Sequence, residues 1–226
     1  MRETLNEEFH YWWQASGEWV EPQNFRRGGT SGVIRHIPEH GPTLYIKRQE
    51  GHIFRSLRYP FGRPTCLREA QALERFQAMG FCVPALRFFA VRKKGTWHGV
   101  LVTETLPEGF ISLENFYPSA QAQALSDPER ERIIKKMAAT LANLHRQRWQ
   151  HSSLMAKHIF IRLTKSEQEA EPVKVEIAFL DLERARRQPT AKRASTRDLH
   201  FMRKRLLFWS EEDWLIFDHS YRLAFR

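Results

Sequence analysis

The stretch QHSSLMAKHIFIRL, residues 150–163, lies between a helix-forming segment and a strand-forming one. His151 opens it, Leu154 follows three residues later, and the β-prone run HIFIRL closes it. The preceding run, SDPERERIIKKMAATLANLHRQ, has apolar residues at helical spacing and starts with the capping-box pair Ser126 and Glu129. We therefore predict a helix, a polar loop and a β-hairpin in this order, which is the outline of a catalytic loop.

The rest of the chain predicts strands before this loop and helices after it. EWVEPQNFRRGGTSGVIRHI, LYIKR and VPALRFFAVRKKGTWHGVLVTE read as strands, and RPTCLREAQALERFQAMG reads as one helix with Thr65 as N-cap and Gly80 as C-cap. After the loop, HIFIRL and VKVEIAFLD predict a hairpin, and STRDLHFMRKRLLFW and SEEDWLIFDHSYRLAF predict amphipathic helices. The predicted fold class is α+β, with a β-rich N-lobe (1–106) and a mainly helical C-lobe (107–226) linked near TETLPEGF.

Composition limits the range of partners. The chain has 226 residues and a formal net charge of +10, which favours an anionic partner such as nucleic acid, a nucleotide, a phosphorylated glycan or an acidic membrane face. Cys66 and Cys82 make no disulfide framework and suggest a reducing compartment. The start MRETLNEEFHYWW is too polar for a signal peptide, so we expect a cytoplasmic protein, with contact at a membrane surface left open.

The N-lobe holds two candidate elements for phosphate binding. Gly28, Gly29 and Gly32 in RRGGTSGV could bring backbone N–H groups close to an anion, or could simply make a glycine-rich hairpin turn. Glu69 heads the apolar face formed by Ala72, Leu73 and Phe76, so its carboxylate needs a cation, and Lys47 at the end of LYIKR is the natural candidate. The pair could hold the ammonium against nucleotide phosphates or be purely structural.

The C-lobe holds candidate acids and bases. Asp181 follows the apolar run IAFL and could ligate Mg²⁺ or cap the next turn, with Glu183 as a possible supporting acid. His145 and His151 could be general bases, although packing roles are favoured, and His158 could ligate a metal. In a separate motif, Asp198 of RDL superficially resembles a catalytic acid but is expected to brace the fold.

Taken together, the segments FRRGGTSGV, LYIKR, RYPFGRPTCLREAQAL, LVTETLPEGFISL, QHSSLMAKHIFI and FLDLERARR resemble the lipopolysaccharide kinase family. These bacterial enzymes belong to the protein-kinase-like superfamily and phosphorylate core heptose or Kdo sugars. The resemblance covers nearly the whole chain and is strongest to the weak-acid-inducible InaA-type branch. It implies a bilobal protein-kinase-like fold that binds ATP and Mg²⁺ in the interlobe cleft.

The resemblance also implies a role for each candidate residue. The three glycines would cover the phosphates, and Lys47, held by Glu69, would contact them. Thr103 and Glu104 would lie in the hinge. Asp181 would hold the metal, and Asp198 would steady the catalytic loop. These roles involve residues that the motifs match: Gly28, Gly29, Gly32, Lys47, Glu69, Thr103, Glu104, Asp181 and Asp198.

The chain departs from the superfamily pattern at two positions in the loop. Ser153 stands where the catalytic Asp would be, and His158 stands at the second metal position in place of Asn. Core heptose kinases resemble this chain in having His there. Removal of a general base typically costs about 10² to 10⁴ in rate, but phosphoryl transfer depends mostly on positioning and electrostatics. His151, Ser153 and a bound water are the candidates that could replace the missing acid.

Two functions follow as hypotheses. The first is an ATP-dependent kinase acting on a heptose or Kdo hydroxyl of lipopolysaccharide core glycolipid, with the basic-aromatic segment GHIFRSLRYPFGRP (51–64) contacting the inner membrane at its cytoplasmic face. The second is a pseudokinase, a nucleotide-binding, stress- or pH-responsive module that has lost transfer. A nucleic-acid binder is disfavoured because the chain has no recognisable nucleic-acid reading motif.

Overall fold

The computed structural model describes residues 2–26, 28–57, 59–164 and 172–226. The chain forms two compact units, Met1–Leu106 and Pro107–Arg226, referred to below as unit 1 and unit 2. The predicted α+β class is confirmed: unit 1 is built around an antiparallel sheet and unit 2 is mainly helical. None of the helices in the described parts of the chain is long and apolar enough to span a membrane.

Unit 1 consists of an antiparallel five-stranded sheet, a short hairpin and two helices. The sheet has the strand order β1-β2-β3-β7-β6, and β4 pairs with β5. The elements are α1 (Arg2–Gln14), β1 (Glu18–Arg26), β2 (Gly29–His36), β3 (Leu44–Glu50), β4 (Ile53–Phe54), β5 (Arg63–Pro64), α2 (Thr65–Ala78), β6 (Leu86–Lys94) and β7 (Thr96–Glu104). The hairpin that joins β6 to β7 turns at Gly95, whose φ of 68° is in the left-handed region that glycine adopts without strain.

Helix α1 is an element that the sequence analysis missed, since it predicted only one helix in this half of the chain. Residues 4–8 are exposed, and the apolar side chains that pack on the sheet are concentrated near its end. Phe9 is buried against the sheet, and Trp12 and Trp13 pack on the same cluster, at helical spacings of three and four residues. Arg48 of β3 donates to the carbonyl of Trp12 at 3.2 Å. The helix is therefore stabilised by tertiary contacts rather than by a long amphipathic stripe.

Helix α2 differs by one residue from the prediction at each end, because its C-cap is Met79 and not Gly80. Gly80, with φ of 83°, follows the helix, and the N–H groups of Gly80 and Phe81 donate to the carbonyls of Gln77 and Phe76. This is a Schellman motif, closed by the contact between the Phe76 and Phe81 rings. The prediction that Thr65 is the N-cap is wrong: Thr65 is the first helical residue, and its hydroxyl donates to Gln49 of β3 at 2.9 Å.

Unit 2 packs helices around a small antiparallel sheet. Its strands β8, β10 and β11 form one sheet in the order β11-β10-β8, and β9 pairs with β12. The elements are β8 (Ile111–Ser112), α3 (Leu113–Phe116), α4 (Ala120–Gln123), α5 (Asp127–Arg146), β9 (Trp149–Gln150), β10 (Ile159–Thr164), β11 (Lys174–Phe179), β12 (Arg186–Arg187), α6 (Ala191–Arg205) and α7 (Glu211–Phe225). The predicted loop after α5, and the hairpin that follows it, are present in this order.

Helix α5 forms the centre of this unit. Ser126 and Glu129 form the predicted capping interaction, since the Ser126 N–H donates to Glu129 Oε2 at 2.9 Å. The apolar stripe is completely buried: Ile133, Met137, Leu141 and Leu144. Packing of this stripe fixes the end of α5, and thereby the start of the loop that carries Ser153.

Candidate active site

The ion pair predicted in unit 1 is formed. Lys47 Nζ lies 2.7 Å from Glu69 Oε2, and the two side chains are only 15% and 12% exposed. Strand β3 directs Lys47 to this position through ladder pairing of its backbone with Val33 and Leu101 on either side. Breaking a buried pair by removing one partner leaves an uncompensated charge, so each group requires the other.

A polar network centred on Gln49 joins β3 to the start of α2. Gln49 Oε1 accepts from the Thr65 hydroxyl and from the Cys66 N–H, both at 2.9 Å. His52 Nδ1 lies 2.8 Å from Thr65 Oγ1. Because Glu69 is one turn along α2 from Thr65, this network sets the distance between Glu69 and β3. Gln49 was not predicted as part of the site. The one indication in the sequence was its position as a polar residue within a strand.

The three candidate glycines have different roles. Gly28 has a φ of 75° and lies in the turn between β1 and β2, as a glycine-rich turn requires. The sequence pattern predicted Gly29 and Gly32 in the same turn, but both lie within β2. A Cβ on Gly29 would collide with the backbone at Glu50 and Gly51, and one on Gly32 would lie 2.7 Å from the ring of Trp19. Their absent side chains therefore allow close packing rather than unusual backbone conformations.

The two hinge candidates lie at the end of β7. Thr103 pairs with Tyr45, and Glu104 pairs with Leu44. The Glu104 N–H also donates to Ala85 O at 2.9 Å. Both residues thus belong to the sheet of unit 1. They lie three and two positions before Leu106, the last residue of that unit.

In unit 2, Asp181, Ser153 and His158 form a polar cluster. The Ser153 hydroxyl donates to Asp181 Oδ2 at 2.8 Å, and His158 Nδ1 lies 3.4 Å from the same oxygen. His158 ends a single 3₁₀ turn, and Asp181 follows β11. The Leu180 N–H donates to the His158 carbonyl at 2.9 Å and ties the two segments together.

The contacts of His158 determine its tautomer. Its Nδ1 lies 2.9 Å from the Ser153 carbonyl oxygen, which can only accept a hydrogen bond. Nδ1 therefore carries the proton, and in the neutral ring the lone pair is on Nε2. A metal ion could bind His158 only through Nε2, the nitrogen on the other side of the ring from the Asp181 contact.

The backbone around this cluster is strained. Among the described residues, three that are not glycine have φ in the left-handed region: Arg148 (65°), Ser152 (67°) and Asp181 (56°). Each such conformation costs about 1 kcal/mol or more, and such residues cluster at functional sites. Two of the three are Asp181 itself and the residue immediately before Ser153.

Asp198 braces the loop, as predicted. Its carboxylate accepts from the N–H groups of His151 at 2.6 Å and Ser152 at 2.9 Å. His145 of α5 lies 3.2 Å from Asp198 Oδ2 through Nε2, and its Nδ1 is 2.7 Å from the Tyr221 hydroxyl. Asp198 is 2% exposed and His145 is completely buried, so both support the loop and do not reach solvent.

His151 is also a supporting residue. It is fully buried, and its Nδ1 accepts from the Ser153 N–H at 3.2 Å. Burial lowers the pKa of His151 to about 4, against the opposing charges of Asp198 and Asp181. Because the ring is fully buried, it cannot reach a substrate as a general base. The packing role considered for it is compatible with this burial.

This shifted pKa predicts a pH-dependent stability. A histidine that protonates at about pH 4 when folded and about pH 6.5 when unfolded stabilises the fold above pH 6.5 and loses that contribution as the pH falls towards 4. From about pH 7 to about pH 5 we expect the free energy of unfolding to fall by about 2 kcal/mol from this group. Urea unfolding at several pH values measures the slope. His151→Gln should flatten it and the exposed control His219→Gln should not; equal slopes for both variants would contradict the assignment.

The acids around this cluster can hold a hard cation only with help from other ligands. Within the described ranges, no group of three or more His, Cys, Asp or Glu residues could hold a metal ion. The Asp181 side chain is 34% exposed and therefore accessible from solvent. Glu183 lies in the 3₁₀ turn that follows, Leu182–Arg184. Mg²⁺ commonly takes one or two carboxylates and completes its shell with water and substrate phosphates, so Asp181 fits this ion.

Comparison with known proteins identifies the family. Residues 10–221 match the model of the lipopolysaccharide kinase (Kdo/WaaP) family. The chain belongs to the lipopolysaccharide kinase family. It is 37% identical over 209 residues to Protein InaA of Escherichia coli (strain K12), with 92% of each chain covered. The expected family and branch resemblance are thereby confirmed.

Solved structures confirm the kinase-like fold. WaaP in complex with acyl carrier protein matches with a TM-score of 0.70 at 19% identity, covering 98% of this chain and 86% of that one. The Rio2 kinase–ADP/Mg²⁺–phosphoaspartate complex from Chaetomium thermophilum matches with a TM-score of 0.54 at 14% identity, covering 97% and 65%. At these identities the structures establish the fold of this lipopolysaccharide kinase family member.

Proposed function

We propose that this protein is an ATP-dependent phosphotransferase that acts on a hydroxyl of a lipopolysaccharide core sugar, a heptose or Kdo. The observation that carries the proposal is the Asp181 cluster: a partly exposed carboxylate, on a strained backbone, oriented by the Ser153 hydroxyl and braced through the loop by buried Asp198. Family membership supports the kinase class.

Each element of the proposal has a defined chemical task. Lys47, held by Glu69, would contact the nucleotide phosphates, and the Gly28 turn would lie beside them. Asp181 would hold Mg²⁺, which neutralises charge on the phosphates during transfer. Phosphoryl transfer requires mainly positioning and charge stabilisation, and these residues supply both without a strong base.

Ser153 acts in this scheme as a positioning residue. Its hydroxyl proton is donated to Asp181 Oδ2, so the hydroxyl holds that carboxylate in place. Because the hydroxyl keeps its own proton, its neutral oxygen is a poor acceptor for the sugar proton. The acceptor hydroxyl would lose its proton late in the reaction to water or to the transferred phosphoryl group, at some cost in rate.

We further propose that the protein works at the cytoplasmic face of the inner membrane, through the segment 51–64. Leu57 and Phe61 are almost completely exposed, and Arg63 stacks on the rings of Tyr59 and Trp97. Arg58, in the same segment, lies outside the described residues. Exposed apolar side chains beside arginines favour an anionic lipid surface.

Vesicle co-sedimentation tests this membrane contact. Wild-type protein should sediment with vesicles that contain anionic lipid and remain in solution with neutral ones. Leu57→Ser with Phe61→Ser should lower the bound fraction about tenfold, because two apolar side chains no longer insert. Leu207→Ser with Leu215→Ser, which changes exposed apolar residues of unit 2, is the matched control. A control variant that loses binding equally would contradict the assignment to segment 51–64.

A second candidate function is a nucleotide-binding pseudokinase. The observation that favours it is the replacement of the proton-accepting residue by Ser153, whose hydroxyl is already committed to Asp181. Such a module would bind ATP and Mg²⁺ and use binding, rather than turnover, in a stress or pH response.

One experiment separates the two functions. Purified protein is incubated with labelled ATP, Mg²⁺ and dephosphorylated core glycolipid, and label in the sugar is measured alongside the melting temperature. Transfer supports the kinase. Stabilisation by ATP and Mg²⁺ without transfer supports the pseudokinase, since a ligand that binds only the folded state raises its stability. Lys47→Met should remove the nucleotide-dependent stabilisation in either case, and the absence of any stabilisation in the wild type would overturn both functions.

A further inference from the structure

Unit 2 contains a basic cavity of about 650 Å³ beside the Ser153 loop. Four of its lining residues are cationic: Arg186, Lys192, Arg193 and Arg197. The others are glutamines and threonines, and within the described residues none of the lining side chains is a carboxylate. The antiparallel pairing of Arg186 with Gln150, the residue before His151, joins the cavity to the loop.

The cations of this cavity repel one another. Arg193 and Arg197 are four residues apart on α6 and so lie on the same face, a spacing at which like charges destabilise a helix. Burial, and then the positive charges of Arg197, Arg184 and Arg193, lower the pKa of Arg186, and the charge of Asp198 partly opposes this shift. In the parts of the chain that the structure describes, none of the four lining cations forms an ion pair with a carboxylate. A bound anion would relieve this repulsion.

Gln150 forms a buried part of the cavity wall. Its side chain lines the cavity and is 1% exposed. Its Oε1 accepts from Gln188 Nε2 and, at 3.4 Å, from Arg186 Nε. Its Nε2 donor has no hydrogen-bond partner among the described residues. The Gln150 side chain is therefore held in place as part of the cavity wall by its contacts with Gln188 and Arg186.

The donors of the cavity match a phosphate group. Arginine forks bind phosphate oxygens through two hydrogen bonds, and three arginines line this cavity. Thr190 accepts the Arg193 N–H at 3.1 Å through Oγ1, which leaves its hydroxyl proton to be donated. Thr190 caps α6, so the positive end of that helix dipole also lies at the cavity and favours an anion.

We propose that this cavity binds a phosphate monoester dianion. The identity of the ligand rests on the proposed kinase function. If the protein is that kinase, the bound group is a phosphate already present on the acceptor glycan. The pairing of Gln150 with Arg186 then holds the acceptor next to the loop that carries Ser153. Binding of the phosphate itself does not depend on phosphoryl transfer.

Thermal unfolding in the absence of nucleotide tests the site. The probes are inorganic phosphate and glucose 6-phosphate, with glucose and sodium chloride at matched ionic strength as references. We expect both phosphates to raise the melting temperature of the wild type by about 3 °C, and the references to leave it unchanged. Arg193→Gln with Arg197→Gln should remove most of that shift. Lys204→Gln with Arg205→Gln, an equal loss of charge at the other end of α6, should keep it.

The outcomes separate a site from general charge screening. Equal shifts in both double variants, or no shift in the wild type, would overturn the proposal. A shift with inorganic phosphate but not with glucose 6-phosphate would overturn the monoester as the occupant. If Arg193→Gln with Arg197→Gln fails to fold, Lys192→Gln is the second variant, with a shift about half that of the wild type expected.

The proposed function can fail without this proposal failing. Lys47→Met should lose stabilisation by nucleotide and retain stabilisation by glucose 6-phosphate, because the two sites use different residues. If phosphate raises the melting temperature of a protein that transfers no label, the phosphate site in the cavity is supported and the kinase function is rejected. In an active protein, Arg193→Gln with Arg197→Gln should raise the KM for phosphorylated acceptor about tenfold and leave the KM for ATP unchanged, since phosphate contacts act on binding.

Discussion

Asp181→Asn is expected to lower the transfer of labelled phosphate to the acceptor sugar by about 10³. The substitution keeps the size of the side chain and removes the charge that would hold Mg²⁺. Asparagine tolerates left-handed backbone better than most residues, so the φ of 56° at this position should be retained. The loss would therefore reflect the carboxylate and not a rearranged loop.

Ser153→Ala is the comparison for this variant. Since Ser153 orients Asp181 and does not accept the sugar proton, its removal should lower transfer by only about tenfold, the cost of one positioning hydrogen bond. If the protein is a pseudokinase, Asp181→Asn should instead remove the Mg²⁺-dependent part of the stabilisation by ATP. Transfer by Asp181→Asn within a factor of about three of wild type would reject the assigned metal role.

Asp198→Ala is expected to lower the free energy of unfolding by about 4 kcal/mol. Its carboxylate accepts from the backbone N–H groups of buried His151 and half-buried Ser152, and it contacts buried His145. Truncation leaves these donors without an acceptor, and each unsatisfied buried donor costs about 1–3 kcal/mol. The loop that holds Ser153 would lose its anchor together with this stability.

Urea unfolding measures the effect, and Asp218→Ala is the control. Asp218 also pairs with a cation, Arg203 at 2.6 Å, but both side chains are more than 40% exposed. Exposed pairs contribute about 0–1 kcal/mol, so the control should be nearly as stable as the wild type. Asp198→Asn should give an intermediate loss because its amide oxygen can still accept one N–H. Equal stability of Asp198→Ala and Asp218→Ala would show that Asp198 does not anchor the loop.

The sequence predicted interactions that depend on local periodicity. The offsets from Glu69 to Ala72, Leu73 and Phe76 define one helix face, and this was enough to expect a carboxylate that needs a cation. The ion pair with Lys47 is formed at 2.7 Å. The capping interaction at Ser126 and the buried stripe of α5 followed from the same kind of pattern.

Interactions between distant segments did not follow from any pattern. Thr65 has the composition of an N-cap, but its hydroxyl bonds to Gln49, sixteen positions earlier in the chain. Gly29 and Gly32 read as turn residues because glycine favours turns, whereas both lie in a strand against the neighbouring chain segments. Helix α1 has no full-length apolar stripe and is formed because residues near its end find the sheet.

The amino-acid order by itself determined the α+β class, the loop between α5 and the hairpin, and the need of Glu69 for a cation, because these depend on side chains spaced by one helical turn or one strand step. Only the tertiary structure decided that the Ser153 hydroxyl is committed to Asp181 and that four cations line one cavity with Gln150. Those contacts join residues that lie about 30 or more positions apart, and their formation depends on backbone packing that no local spacing encodes.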